Sequence, residues 1–299
     1  MTIAETETPT IRPRRVSFDW AGTPLHWVPG DAFTTHVINV LHLLLPAGEK
    51  WFCDVYRQAL PMVTDDRLRE NVKGFIGQEA IHGRAHALVL EHLNAQGVKT
   101  KGYTNGIEWM FNWLLGDHGL GEGSPAPQWM RRSWLIWRLS IVAAIEHFTC
   151  VLGWWVISDA TALDTAGADP MMLDLLRWHG SEEVEHRAVA LDLYKHVWGG
   201  YFRRIAGIAI VGPVILGLWI LGAHSLIRHD PTTTRKDRPS VRRYIKVARR
   251  SGRLPRAWRL LGSVPRYLKP RFHPSQEAST AVALSYLARS PAAQKYGAA

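Results

Sequence analysis

The sequence predicts an all-α protein in which four long helices form a bundle, with extra N-terminal and C-terminal helices around it. Over the first 200 residues, apolar side chains recur at spacings of three and four, the period of a helix buried along one face. Caps, glycines and prolines fall mostly between those runs, and strand signals are nearly absent. A hydrophobic share of 46% in 299 residues is ample for a sizeable core and excludes disorder throughout.

Residues 1–30 open polar, acidic and proline-bearing and read as a loose arm, with no apolar stretch of the kind a secretion signal needs. Residues 31–200 hold the bundle. A leading apolar segment, Phe33 to Leu45, meets Pro46, which either starts a new helix at its tolerated first position or kinks a continuing one. The first bundle helix then carries Glu49 to Leu60. Asp65 or Asp66 can cap the second, which runs through Phe75 and His86 until Asn94 and Gly97 end it. A shorter helix near Ile107 to Leu115 lies in the long link that follows. Ser124 and Pro125 are expected to open the third helix, with Trp134 to Ile157, and Asp169 with Pro170 the fourth, with Met172 to Val197. One long connection between the second and third helices suits a bundle with a crossover.

The chemistry lies in acids and histidines phased on these helices. Glu79 and His82 form a Glu-x-x-His pair on the second helix, and Glu183 and His186 form another on the fourth. Positions i and i+3 share a helix face, so each pair can grip one metal ion from the same side. The first helix offers Glu49, and the third offers Glu146 inside the apolar run from Ile141 to Phe148. A carboxylate buried there without a charge partner would be very costly, and a dication supplies that partner. One Glu from each of two helices with Glu-x-x-His from each of the others is the ligand set of ferritin-like di-iron and di-manganese bundles. His179 stands four residues before Glu183 on the same face, as a third histidine ligand or a donor to Glu183. Cys53 follows Glu49 by four residues, and Cys150 follows Glu146 by four. Both thiols border the substrate pocket or are small packing residues. His86, one turn after His82, is expected to line the site. Glu182 and Glu185 are expected to point elsewhere on the helix, to the surface or to a supporting place behind the ligands, and His147 to face away from Glu146. Trp109, Trp113, Trp134, Trp137, Trp154 and Trp155 read as apolar interior, some of them as walls of a substrate pocket.

The His-x-x-x-Glu-x-x-His motif resembles that of the ferritin-like arylamine N-oxygenases, whose second iron takes an extra histidine. The wider pattern of PAGEKWF, FIGQEAIHGRAH, AAIEHFT and WHGSEEVEHRAVALDLY, with a weaker FHP at 272–274, also resembles the bacterial family catalogued as predicted metal-dependent hydrolases. The resemblance covers roughly residues 40–200. It implies two metal ions: iron for O2 activation, with manganese or zinc also compatible with these ligands.

Residues 201–228 read as an apolar helix, membrane-associated or packed on the bundle, because residues 205–227 contain no Asp, Glu, Lys or Arg. Residues 229–299 form a basic helical region. The net charge of +10 divides into −4 for residues 1–204 and +14 for residues 205–299. Arginines mixed with Tyr244, Trp258 and Leu261 suit an anionic membrane surface, and nucleic acid is not an expected partner. Two cysteines fit a reducing compartment, so the expected location is cytoplasmic, on the inner face of the membrane. The leading expectation is an O2-activating di-iron oxygenase or oxidase acting on a hydrophobic, lipid-like or amine substrate. A separate electron donor is then required, since no flavin, nicotinamide or iron–sulfur motif is present. The alternatives are a metal-dependent hydrolase, in which paired ions activate water, and a non-catalytic metal-binding or membrane protein.

Overall fold

The computed structural model describes residues 10–117, 126–234 and 240–296, and every regular element among them is helical. Helix α1 (Ala32–Ala59) starts where Asp31 accepts the Thr34 amide at 3.0 Å, and it continues through Pro46. The proline removes one internal donor, while buried turns on both sides of it keep the helix whole, so the leading segment and the first bundle helix are one element. Helix α2 (Asp66–Ala95) is capped by Asp65, which accepts from the Leu68 amide at 2.6 Å, and it ends before Gly97, a left-handed residue at φ +93°. Helix α3 (Lys101–Trp109) runs into a wide turn, Met110–Leu114. Helix α4 (Gln128–Ser158) follows Pro127, while Ser124 and Pro125 lie outside the described residues. After the short α5 (Thr161–Thr165), Asp169 caps α6 (Pro170–His196) by accepting from the Met172 amide at 2.9 Å.

Two apolar clusters give the topology. One gathers Trp51–Ala59 of α1, Val72 and Phe75 of α2, Leu135–Phe148 of α4 and Val189–Tyr194 of α6. The other gathers Phe33–Leu43, Ala85–Leu93, Trp155–Val156 and Met172–Trp178 of the same helices. Helices α1 and α6 therefore run from the second cluster to the first, and α2 and α4 run the opposite way. Since α2 and α4 are parallel, the chain between them must travel back the length of the bundle, which is the crossover. Glu49, Glu79, His82, His179, Glu183 and His186 fall between the two clusters along their helices, and Glu146 lies beside the last α4 residue of the first, so the seven share one layer across the bundle. The approach of α4 to α6 depends on glycine: a Cβ on Gly153 would stand 2.4 Å from the Gly180 carbonyl oxygen, and one on Gly180 would stand 2.6 Å from Val156 Cγ1.

Helix α7 (Tyr201–His229) lies outside this bundle against α1 and α4. Helix α8 (Val241–Arg250) packs Ala248 into the second apolar cluster and sets Arg243 over the Phe33 ring of α1, while α9 (Ala257–Tyr267), α10 (Thr280–Leu287) and α11 (Pro291–Gln294) close around α4 and α6. Asp174 of α6 anchors the chain end by accepting from Tyr286 Oη, Ser290 Oγ and the Ala292 amide at 2.8–2.9 Å. At the end of α7, the Asp230 carboxylate takes His26 Nε2 at 2.6 Å and His36 Nε2 at 2.7 Å on one oxygen, and Thr232 on the other.

Residues 10–30 are no loose arm. They form a strap with Ile11, Trp20 and Trp27 buried against the bundle. It crosses α2 where the helix has no side chains to block it: a Cβ on Gly74 would sit 2.0 Å from the Ile11 carbonyl oxygen, and one on Gly77 2.3 Å from Pro13 Cγ. Of the six tryptophans expected inside, Trp155 is buried, whereas Trp109 and Trp113 are 55% and 56% exposed. The end of α3 and the wide turn after it lie at the periphery, so helical spacing there does not put these two rings inside.

Candidate metal centre

The structure brings all seven of the expected acids and histidines together and buries them, each at 5% exposure or less. One oxygen or ring nitrogen from each of Glu79, His82, Glu183 and His186 lies within 4.8 Å of the others, and the same holds for Glu49, His82 and His179. The two groups adjoin through His82 and through His179 Nε2, which is 2.9 Å from Glu183 Oε1 and 3.5 Å from Glu49 Oε1. Glu146 reaches the same space, with Oε2 3.7 Å from His186 Nδ1.

The histidines are oriented from behind. His82 Nε2 donates to Glu182 Oε2 at 2.8 Å, which fixes the proton on that nitrogen and turns Nδ1 toward Glu183 (3.6 Å) and Glu79 (4.0 Å). His186 Nε2 donates to Gln78 Oε1 at 2.7 Å, leaving Nδ1 toward Glu79 at 2.9 Å. Gln78 is itself set by donating to the Arg12 carbonyl at 2.9 Å and to Glu185 at 3.1 Å. Arg14 of the strap forks onto Glu182 (2.9 Å) and Glu185 (2.6 and 2.9 Å). Both Glu-x-x-His histidines thus hold one nitrogen outward and present the other inward, and the strap completes the arrangement. His179 Nδ1 meets His86 Nε2 at 2.6 Å, and His86 Nδ1 meets His42 Nδ1 at 2.7 Å, giving a buried three-histidine chain.

Electrostatics show how unusual this interior is. Burial and then the neighbouring carboxylates push Glu49 and Glu146 well above the usual carboxylate range. Burial would also raise Glu183, but His179 and His186 hold it well below. Burial would lower His186, yet Glu183 and Glu79 hold it well above an ordinary imidazole. Burial and His179 push His82 and His86 well below. Glu182 is pushed up to about 7 by burial, against the pull of Arg14. Both oxygens of Glu49, Glu79 and Glu146, Oε2 of Glu183, and Nδ1 of His82 and His186 have no hydrogen-bond partner outside this group. Nine buried polar atoms with none but one another to pair with form a donor set that fits metal cations, since burying so many acids and imidazoles together is otherwise strongly unfavourable.

Cys53 donates to the Ile76 carbonyl at 3.4 Å, and Cys150 packs with Val184 and Ala283; neither thiol belongs to the gathered groups. His147 faces away, toward the Ser263 carbonyl, Tyr267 and Phe272. Glu182 and Glu185 do leave the centre, but they are buried beneath Arg14 and do not reach the surface. Sequence reasoning missed Arg14, Gln78, His42 and Tyr56. The Tyr56 hydroxyl is buried without a hydrogen-bond partner, and its ring stacks on Phe75, which in turn lies 4.4 Å from the His186 ring. One signal was available: residues 181–187 of α6 place acids, a histidine and an arginine on every face of the helix, and all seven are buried.

A family model described as predicted metal-dependent hydrolase matches residues 12–278. No curated protein and no solved structure matches the chain.

Proposed function

Since the chain belongs to the predicted metal-dependent hydrolase family, we propose that the buried layer holds two metal ions and hydrolyses a hydrophobic ester. The observation that carries this is the gathering of buried acids and histidines whose inward atoms have no partners beyond their own group. Glu49, His82 and His179 would hold one ion and Glu146 and His186 the other, with Glu79 and Glu183 between them. Bound dications supply Lewis acidity and lower the pKa of water near neutrality. The protein's part is orientation. Glu182 and Gln78 keep the proton on the outer nitrogen of His82 and His186, so the inner nitrogen is the one that would bind an ion, His186 releasing its second proton as it does so. Trp178 stands edge-on to His82 at 5.0 Å and Phe75 against His186 at 4.4 Å, apolar walls that suit an uncharged substrate.

A second reading, O2-dependent oxidation by a di-iron centre with a separate electron donor, is favoured by one feature. His179 adds a third imidazole to four carboxylates, a mixture that suits iron as well as zinc. The test is to measure metal content, then assay zinc-loaded and iron-loaded protein against esters of increasing chain length and, after reduction, for O2 uptake. Ester turnover that vanishes in Glu146→Gln together with about one metal equivalent supports hydrolysis. O2 uptake confined to the iron form, without ester turnover, would replace it by the oxidative reading. Full metal retention by Glu146→Gln would remove Glu146 from the ligand set.

A further inference from the structure

Two helices are long and apolar enough to cross a membrane, but the protein treats them differently. The most apolar stretch of α4 is 72% buried in the bundle, and that of α7 is 22% buried. The inner face of α7 is fitted closely. A Cβ on Gly207 would lie 2.9 Å from the Ser140 carbonyl, Trp219 Nε1 donates to the Val37 carbonyl at 2.8 Å, and Tyr103 Oη donates to the Leu218 carbonyl at 2.6 Å. The outer face carries Phe202, Ile210, Val214, Leu216, Ile220 and Leu221, which are 45–85% exposed. At 3.6 residues per turn these occupy one arc of roughly 160°, along a helix of roughly 43 Å. No Asp or Glu occurs from 201 to 229.

Helix α9 lies alongside on α4. Ser263 meets His147 there, one residue from Phe148, which faces Gly212 of α7. Tyr201 Oη donates to the Leu268 carbonyl and Arg204 to the Lys269 carbonyl, both at 2.7 Å, joining the two helices at one end. Helix α9 adds Trp258 and Leu261, 62% and 69% exposed. The surrounding chain is basic: residues 240–271 contain eleven Lys or Arg and no Asp or Glu.

We infer that the outer face of α7, extended by Trp258 and Leu261 of α9, seats in the headgroup–acyl boundary of an anionic bilayer, with α7 lying parallel to the membrane plane. The parallel orientation follows from packing. Helix α7 lies along the bundle from one apolar cluster to the other, so a perpendicular span would carry the exposed Glu70, Lys73, Arg84 and Glu91 of α2 into the hydrocarbon. Lying flat, the helix buries a continuous apolar arc and leaves the charged sides of the bundle in water, while the basic region meets anionic headgroups. An exposed apolar surface of this extent on a protein is a binding surface, and the arginine-rich stretch beside it, basic even with Arg253, Arg259 and Arg266 paired to Asp31, Asp159 and Glu277, selects an anionic lipid surface over an acid-and-base-patterned protein partner. The inference is independent of which reaction the buried layer performs.

Flotation of the full chain with phosphatidylcholine/phosphatidylglycerol vesicles tests it, beside pure phosphatidylcholine vesicles and gel filtration without lipid. The wild type is expected to float with the mixed vesicles, less with the neutral ones, and less at high salt. Leu216→Glu with Leu221→Glu, both on the exposed arc, is expected to lower partitioning at least about tenfold while the thermal unfolding midpoint stays at the wild-type value. Should the double variant lose its fold, Phe202→Ser at the start of α7 with Trp258→Ser on α9 is expected to give the same loss. Wild-type failure to float, flotation of both folded variants like wild type, or a dimer that dissociates in the glutamate variant without lipid binding would each overturn the proposal, the last assigning the face to a second copy of the chain.

Discussion

Arg14→Ala tests the link between the strap and the metal layer. The guanidinium makes three contacts of 2.6–2.9 Å to Glu182 and Glu185, whose side chains are 0% and 5% exposed, while Arg14 itself is 26% exposed. Removing one partner of a fully buried ion pair costs about 3–5 kcal/mol, because a charge is left behind without compensation. Here two effects reduce that figure. Arg14 keeps some water contact, and Glu182, already at about 7, can take up a proton when its cation leaves. A loss of about 2–4 kcal/mol is expected for the metal-free protein. At about 2 °C per kcal/mol for a chain this long, the unfolding midpoint drops about 4–8 °C. A second consequence reaches the centre. A neutral Glu182 is a weaker acceptor for His82 Nε2–H, and Glu185 no longer pins Gln78 behind His186, so metal affinity should fall about 10–100-fold. Denaturant unfolding of metal-free protein gives the first number, and competition against a chelator gives the second. Arg14→Lys keeps a charge but not the fork and should fall between. Wild-type values in both assays for Arg14→Ala would refute the linkage; lost stability with unchanged metal affinity would reduce Arg14 to a fastener of the strap.

Gly180→Ala should destabilise by about 1–3 kcal/mol, because its Cβ would meet Val156 Cγ1 at 2.6 Å and force α4 from α6; a thermal midpoint equal to wild type contradicts that crossing. Asp230→Asn should cost about 1–3 kcal/mol by disturbing the His26 and His36 contacts. Burial would raise the Asp230 carboxyl, but hydrogen bonds from His36, His26 and Thr232 hold it well below the usual range. Its contribution is therefore present above the unfolded value of about 3.9 and lost as pH falls through the folded value. The stability gap between wild type and variant should narrow below about pH 4, and a gap that widens in acid, measured by urea unfolding, contradicts the assignment. Metal removal by chelation should lower the wild-type unfolding midpoint, and lower that of Glu79→Gln less, since ligands bound only by the folded state stabilise it.

What the sequence made legible is what helical phase encodes. Glu79 with His82, Glu183 with His186, and His179 four residues earlier are neighbours along single helices, so spacing alone puts each set on one face. Glu146 stood out because an apolar run has no place for an unpaired acid. The caps at Asp65 and Asp169 were readable for the same local reason. The partners behind the centre were not readable. Arg14 and Glu185 are separated by 171 residues, and Gln78 and His186 by 108, so only the assembled bundle brings them together. The strap illustrates the point. Its composition reads as solvated, yet Gly74 and Gly77 open a track on α2 that takes its backbone. Pro46 shows the converse, a strong local breaker overridden by burial of the turns on both sides.

The central claim is that the layer between the two apolar clusters is a two-metal centre. Elemental analysis of purified full-length chain, with spectroscopy to detect coupling between the ions, addresses it most directly. The account predicts about two equivalents of one metal per chain, close enough to couple, falling to about one or none in Glu146→Gln. A chain that remains folded with no bound metal, and takes up none of iron, manganese or zinc when they are supplied, would contradict it.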